Sequence, residues 1–291
     1  MPGPSGVLVV DKPAGLTSHS AVARVRRALG VRRVGHAGTL DPDATGVLVL
    51  GIGPATRLLG YLSGDDKDYS SRIVLGLATT TDDASGEVLS ESDASGLTRE
   101  ALERALEGLR GDIMQRPSAV SAVKVDGRRA YDRVRAGEDV ELPPRPVTIR
   151  ALTLVGMDRE DSVAVIDIAV TCSAGTYIRA LARDLGDALG VGGHVRTLRR
   201  TRSGAFSLAD AVPLDAVEDG GVLLESGDAA RRSMPHVEID REQADLARHG
   251  VQIEWPEAAP ASGVVAFLHD DALVGLAERS GARAMWRTVF S

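Results

Sequence analysis

The chain has 291 residues, 43% of them hydrophobic, and a formal net charge of −7. That content supports one large folded domain, or a domain with a small appendage, and excludes a disordered or fibrous chain. A single cysteine, Cys172, excludes an intrachain disulfide and a cysteine-based metal cluster, and points to a reducing compartment.

Val7-Leu8-Val9-Val10 reads as a buried strand, stopped by the turn residues Asp11-Lys12-Pro13-Ala14-Gly15. It is far too short to span a membrane, and the residues before it lack the order of a signal peptide, so a cytoplasmic protein is expected. Ser18 is placed to cap a helix running to Leu29, which Gly30 ends. Next comes the loop Gly35-His36-Ala37-Gly38-Thr39-Leu40-Asp41-Pro42-Asp43-Ala44-Thr45-Gly46, whose glycines and proline fit neither helix nor strand. Pro42 turns Asp41 out of the helical region and so restricts the direction of its carboxylate. Taken alone, an Asp-Pro pair is an ordinary turn whose carboxylate caps local N–H groups.

A strand to about Ile52 and a short helix from Pro54 to Leu62 follow. Lys67 to Leu77 alternates at period two and reads as a strand, and Thr79–Gly86 as a polar turn. Thr98 caps a predicted helix to Leu109. Residues 112–146, bracketed by prolines and rich in Arg and Lys, read as an insertion that closes on a partner. Strands are predicted at Val147–Val155 and Val163–Thr171, a helix at Thr176–Leu189, and a basic strand at His194–Arg202. From about Pro235 a small β-rich unit offers a helix at Arg241–Arg248 and strands at Gly263–Leu268, Ala272–Ala277 and Ala284–Phe290. Helices and strands do not alternate as βαβ units, which predicts an α+β fold with a mixed, largely antiparallel central sheet flanked by helices.

The charge is unevenly spread. Residues 1–60 carry seven Lys and Arg against Asp11, Asp41 and Asp43, and between Arg179 and Arg202 six arginines face only Asp184 and Asp187. Residues 207–291 are acidic, with fifteen Asp and Glu against seven Arg. Local basic faces on an acidic protein suit a nucleic-acid binder with a confined footprint. The six histidines lack the clustered spacing of a zinc site, and neither a phosphate loop nor a dinucleotide fingerprint is present.

Five stretches in order resemble the TruB family of tRNA pseudouridine-55 synthases. They are Val9–Ser18, the Gly35–Gly46 loop, Lys67-Asp68-Tyr69, Pro117–Lys124 and Cys172–Arg179, and together they cover about residues 5–205. The resemblance implies the pseudouridine synthase fold over residues 1–234, an RNA-clamping insertion at 112–146 and a PUA-like domain at 235–291. It implies isomerisation of a T-loop uridine in tRNA to pseudouridine by base flipping, without a cofactor or metal and without an obligate protein partner, by a monomer. On the same resemblance Asp41 is the nucleophile and Arg179 the cation that keeps it charged. Tyr69 stacks on the target base, and Tyr177 lies near the glycosidic bond in either a proton-transfer or a structural role. His36, Lys12, Gly35, Gly38 and Leu198 are counted as substrate-binding. A pseudouridine synthase of ribosomal RNA and a non-catalytic RNA chaperone remain as alternatives on the sequence alone.

Overall fold

The computed structural model describes residues 3–118, 124–125, 128–129, 142–219 and 223–290. Most of the expected 112–146 insertion lies outside the described residues, which hold its two stems and the short paired segments Lys124–Val125 and Arg128–Arg129. In chain order the elements are β1 (Gly6–Lys12), α1 (Ser18–Ala28), β2 (Val34–His36), β3 (Thr45–Ile52), β4 (Lys67–Leu75), β5 (Leu77–Thr79), β6 (Val88–Glu91), α2 (Arg99–Glu107) and β7 (Gly111–Gln115). Beyond the insertion come β8 (Arg145–Glu160), β9 (Val163–Cys172), α3 (Ile178–Leu189), β10 (Gly193–Ser203), β11 (Val212–Pro213) and α4 (Ser226–Ser233). The chain closes with β12 (His236–Glu238), α5 (Arg241–Arg248), β13 (Val265–His269), β14 (Ala272–Ser280) and β15 (Arg283–Val289). Contacts divide it into two compact units, one of Met1–Pro42, Gly46–Gly64 and Gly204–Ser291, the other of Asp43–Thr45 and Asp65–Ser203.

In the first unit β1 pairs antiparallel with β3, Val9 facing Val49, and parallel with β11. Val7, Leu8, Val9 and Val10 are all buried, which is why the strand is a continuous apolar run and not an alternating one. The helix cap falls one residue earlier than expected. Thr17 accepts the Ser20 N–H at 2.9 Å, because the Ser18 hydroxyl is turned elsewhere. The C-terminal sheet runs β12-β13-β14-β15, parallel in its first pair and antiparallel in the others. Alternation along β13 sends Ala266 and Leu268 into a core shared with Val7, Val9, Val49, Ala229 and Phe206, while Val265 and Phe267 pack with Trp255, Val274 and Ala277. The expected boundary at 234 and 235 therefore falls inside one unit, with apolar side chains from both sides of it in a common cluster.

The second unit carries the strand order β10-β4-β9-β8-β7, antiparallel throughout. Ala164, Ile166, Ile168, Val170 and Cys172 line one face of β9, and Leu102 and Leu106 of α2 and Ile178, Leu181 and Leu185 of α3 pack in the same cluster. Burying that one face is what holds the strand register, since a one-residue slip would turn all five outward. β4 stops at Leu75 and not Leu77, because Gly76 takes φ +109° and a Cβ there would lie 2.9 Å from the Ser92 carbonyl. The α+β class with largely antiparallel pairing is as expected. No helix among the described residues is long and apolar enough to cross a membrane, and none of their His, Cys, Asp or Glu side chains group to hold a metal ion.

Candidate active site

The loop bearing Asp41 is gripped on both sides of that residue. Ser18, 1% exposed, donates from Oγ to the Leu40 carbonyl at 3.1 Å and accepts the Leu40 N–H at 2.8 Å. Lys12 is wholly buried, and its Nζ donates to the carbonyls of Pro13, Leu16 and Pro42 at 2.8, 2.7 and 2.9 Å. A buried ammonium is tolerated only where its protons are taken up, and here three carbonyls take them. The Leu40–Asp41 peptide and the Pro42 carbonyl beyond it are thus fixed, while Asp41 itself stays only half-buried. Ala37 and Leu40 turn inward beneath the loop, and Gly38 bends it at φ +98°. Gly35 makes a close approach instead, since a Cβ there would lie 2.8 Å from Leu59 Cδ1. His36 is half-buried, with its ring edge-to-face against His19 at 5.4 Å.

In the second unit Arg179 lies in the first turn of α3, 4% exposed. Its Nη1 donates to the Thr81 carbonyl at 2.9 Å and lies 3.4 Å from Asp83 Oδ2. The opposite oxygen, Asp83 Oδ1, accepts from Thr81 Oγ1, Ser85 Oγ and the Ser85 N–H at 2.6, 2.6 and 3.0 Å. That acidic turn is the stretch read from sequence as merely polar, and its carboxylate is oriented before it meets the arginine. One turn further along α3, Arg183 contacts Asp82 at 3.2 Å and Asp184 at 2.7 Å and donates to the Arg116 carbonyl at 2.7 Å. Burial pushes the carboxyls of Asp82 and Asp184 above the ordinary carboxylate range, against the pull of Arg183.

Tyr177 precedes α3 with extended backbone at φ −105° and ψ 110°. Tyr69, on β4, is cross-strand partner to both Val170 and Arg200, and packs half-buried against the second unit's core, as does Leu198 of β10. Its neighbour Asp68 is clasped by Arg202 through two hydrogen bonds of 2.6 and 2.8 Å. Burial acts to raise the Asp68 carboxyl, but bonds from Arg202 and Thr171 outweigh it and hold the group low.

The sequence-derived residues fall into two sets: Lys12, Gly35, His36, Gly38 and Asp41 in the first unit, Tyr69, Tyr177, Arg179 and Leu198 in the second. Lys12, expected to bind substrate, has its ammonium sealed beneath the loop. Three supporting residues escaped the sequence reading. Asp83 was signalled only by the density of Thr, Asp and Ser in its turn, Ser18 was taken as the cap, and Gln115 carries no local signal.

A largely antiparallel sheet backed by helices, with a small second sheet, is the fold of the pseudouridine synthases. Residues 26–178 match the family model for the TruB family pseudouridylate synthase N-terminal domain, and residues 179–238 that for the tRNA pseudouridylate synthase B C-terminal domain. The chain belongs to the TruB family of pseudouridylate synthases and is an isomerase. It is 50% identical to the tRNA pseudouridine synthase B of Rhodococcus jostii over 96% of this chain and 92% of that one. With its counterpart in Corynebacterium aurimucosum it is 52% identical, over 90% and 88%. Among solved structures, a Cbf5-Nop10-Gar1 complex superposes with a TM-score of 0.75 at 26% identity, covering 98% of this chain and 85% of that chain. An H/ACA RNP bound to a substrate RNA containing 2'-deoxyuridine gives 0.74 at 25% identity, with the same coverage.

Proposed function

We propose that the protein converts the T-loop uridine at position 55 of tRNA to pseudouridine, with Asp41 as the nucleophile. The observation that carries this is the double grip on the Asp41 loop, in a chain of this family whose relatives at about half identity are tRNA pseudouridine synthases. A nucleophile held by the residues on either side of it enters the reaction with little orientation left to lose. Asp41 attacks the flipped nucleotide, the C1′–N1 bond breaks, and the freed base turns. A C1′–C5 bond then forms, the bond to Asp41 breaks and restores the carboxylate, C5 gives its proton to solvent and N1 takes one up. Atoms and electrons balance within the nucleotide and one exchanged proton, so the rearrangement calls for no cofactor.

Arg179 supplies the positive charge that keeps a carboxylate ionised in a site dried by bound RNA. Tyr69 offers the flat face on which the target base stacks, with Leu198 packed against the same core. Tyr177 stands by the glycosidic bond, and His36 with the glycines of its loop meets the T-loop. Flipping a loop base costs less than opening a duplex, which favours this substrate. The basic faces take the stem by its phosphates. The protein acts alone, as a cytoplasmic monomer.

The test is tritium release from a T-stem–loop RNA carrying [5-³H]uridine. The purified protein is expected to release it without added factors, and Asp41→Asn to abolish release while RNA binding persists. Full turnover by that variant would remove Asp41 from the chemistry.

A further inference from the structure

Gln115 and Arg145 are cross-strand partners on β7 and β8, the two stems of the insertion, and both hold Tyr177. The Gln115 side chain is 1% exposed and lies along the Tyr177 backbone. Its Nε2 donates to the Tyr177 carbonyl at 3.0 Å and its Oε1 accepts the Tyr177 N–H at 2.8 Å. A side-chain amide here replaces a strand neighbour, taking the Tyr177 N–H and sharing its carbonyl with the Leu181 N–H, which reaches it at 3.1 Å. The Arg145 guanidinium stacks over the Tyr177 ring, Cζ 4.9 Å from its centroid. Its Nε–H is buried and has no hydrogen-bond acceptor among the described residues. Directly behind, the Arg116 carbonyl receives Arg183 of α3, so the first stem is fastened to the same helix start.

We propose that Gln115 and Arg145 are positioning residues of the isomerase, fixing Tyr177 by its backbone and by its ring. Gln115 sets where the main chain enters α3, and Arg145 sets the tilt of the phenol. Neither meets the nucleotide; each acts through the tyrosine. This rests on the reading of Tyr177 as a site residue.

The test pairs Gln115→Met and Arg145→Met with Tyr177→Phe in a double-mutant cycle, using single-turnover tritium release from the T-stem–loop RNA at saturating enzyme. Gln115→Met and Arg145→Met are each expected to slow the step about tenfold, with the Kd for RNA unchanged. In the Tyr177→Phe background each should cost less than about threefold, because contacting groups that act as a unit are not additive. Equal losses in both backgrounds, or loss of RNA affinity at an unchanged rate, would overturn the proposal. Gln115→Glu, which keeps the shape and one hydrogen bond, guards against misfolding and should fall between wild type and Gln115→Met. A Tyr177→Phe protein at full rate would overturn the role of the tyrosine itself. Amide exchange at Tyr177 tells that result apart, since it must accelerate in Gln115→Met if the backbone grip is real.

Discussion

Ser18→Ala tests whether the grip on the Asp41 loop matters to catalysis. The substitution removes one oxygen, yet that oxygen serves both the N–H and the carbonyl of Leu40, at 2.8 and 3.1 Å. Leu40 is 3% exposed and Ser18 1%, so the space left offers bulk water no entry. A stranded buried polar group costs about 1–3 kcal/mol, and partial relaxation of the loop brings the expected total to about 2 kcal/mol. For a chain of 291 residues that is a fall in Tm of about 3 °C. The rate should suffer more than the stability, because the Leu40–Asp41 peptide is no longer held on its upstream side, and a misplacement near 1 Å costs about a hundredfold. Single-turnover pseudouridine formation at saturating enzyme, with RNA Kd and Tm measured alongside, separates these effects. A variant with lowered Tm but the wild-type rate would show that Lys12 and the packing of Leu40 place the aspartate without Ser18, and the argument for a two-sided grip would fail.

Asp83→Asn should leave RNA binding in place and lower the single-turnover rate about a hundredfold, because Arg179 would keep the Thr81 carbonyl but lose the Asp83 carboxylate that helps to orient it; an unchanged rate would separate Asp83 from the chemistry. The buried thiol of Cys172 is pushed up to about 11, first by burial, against bonding from Thr176 and the charge of Lys67. The native thiol therefore keeps its proton until about pH 11, while the unfolded chain loses it near 9, so stability falls as pH rises through that window, by roughly 2–3 kcal/mol at its end. Denaturant midpoints of wild type and Cys172→Ala should diverge over those two pH units and stay parallel below pH 8; curves parallel throughout would refute the assignment.

Much of the fold was legible because burial imprints a period on the sequence. The alternation of Val163–Thr171 marked β9, the unbroken Val7–Val10 run marked β1, and Thr98 capped its helix where expected, taking the Ala101 N–H at 3.2 Å. That residues on the two sides of Pro235 share one unit was harder to see. Local turn residues announce a break, but the packing of Ala229 and Ala230 with Ala266 and Leu268 depends on contacts between distant segments. The site shows the same division. The loop around Asp41 was visible through Pro42 and its glycines, and the role of Asp41 came from the family resemblance, whereas Gln115 acts across 62 positions on Tyr177 and Ser18 across 22 on Leu40. Such bonds follow from tertiary placement, which no window of sequence contains.

The first unit joins segments far apart in sequence. Val7 and Phe290 lie in one cluster, and Arg57 both donates to the Val289 carbonyl and stacks on the Phe290 ring. On the ribosome Val7 and Val9 emerge more than 250 residues before Ala266, Leu268 and Phe290, which complete their core. The intervening unit, nearly all of it one run from Asp65 to Ser203, has its partners at hand far earlier. Newborn molecules should therefore carry one finished unit and one waiting unit until residues 266–290 have emerged, and the waiting unit is where chaperones would find exposed valines.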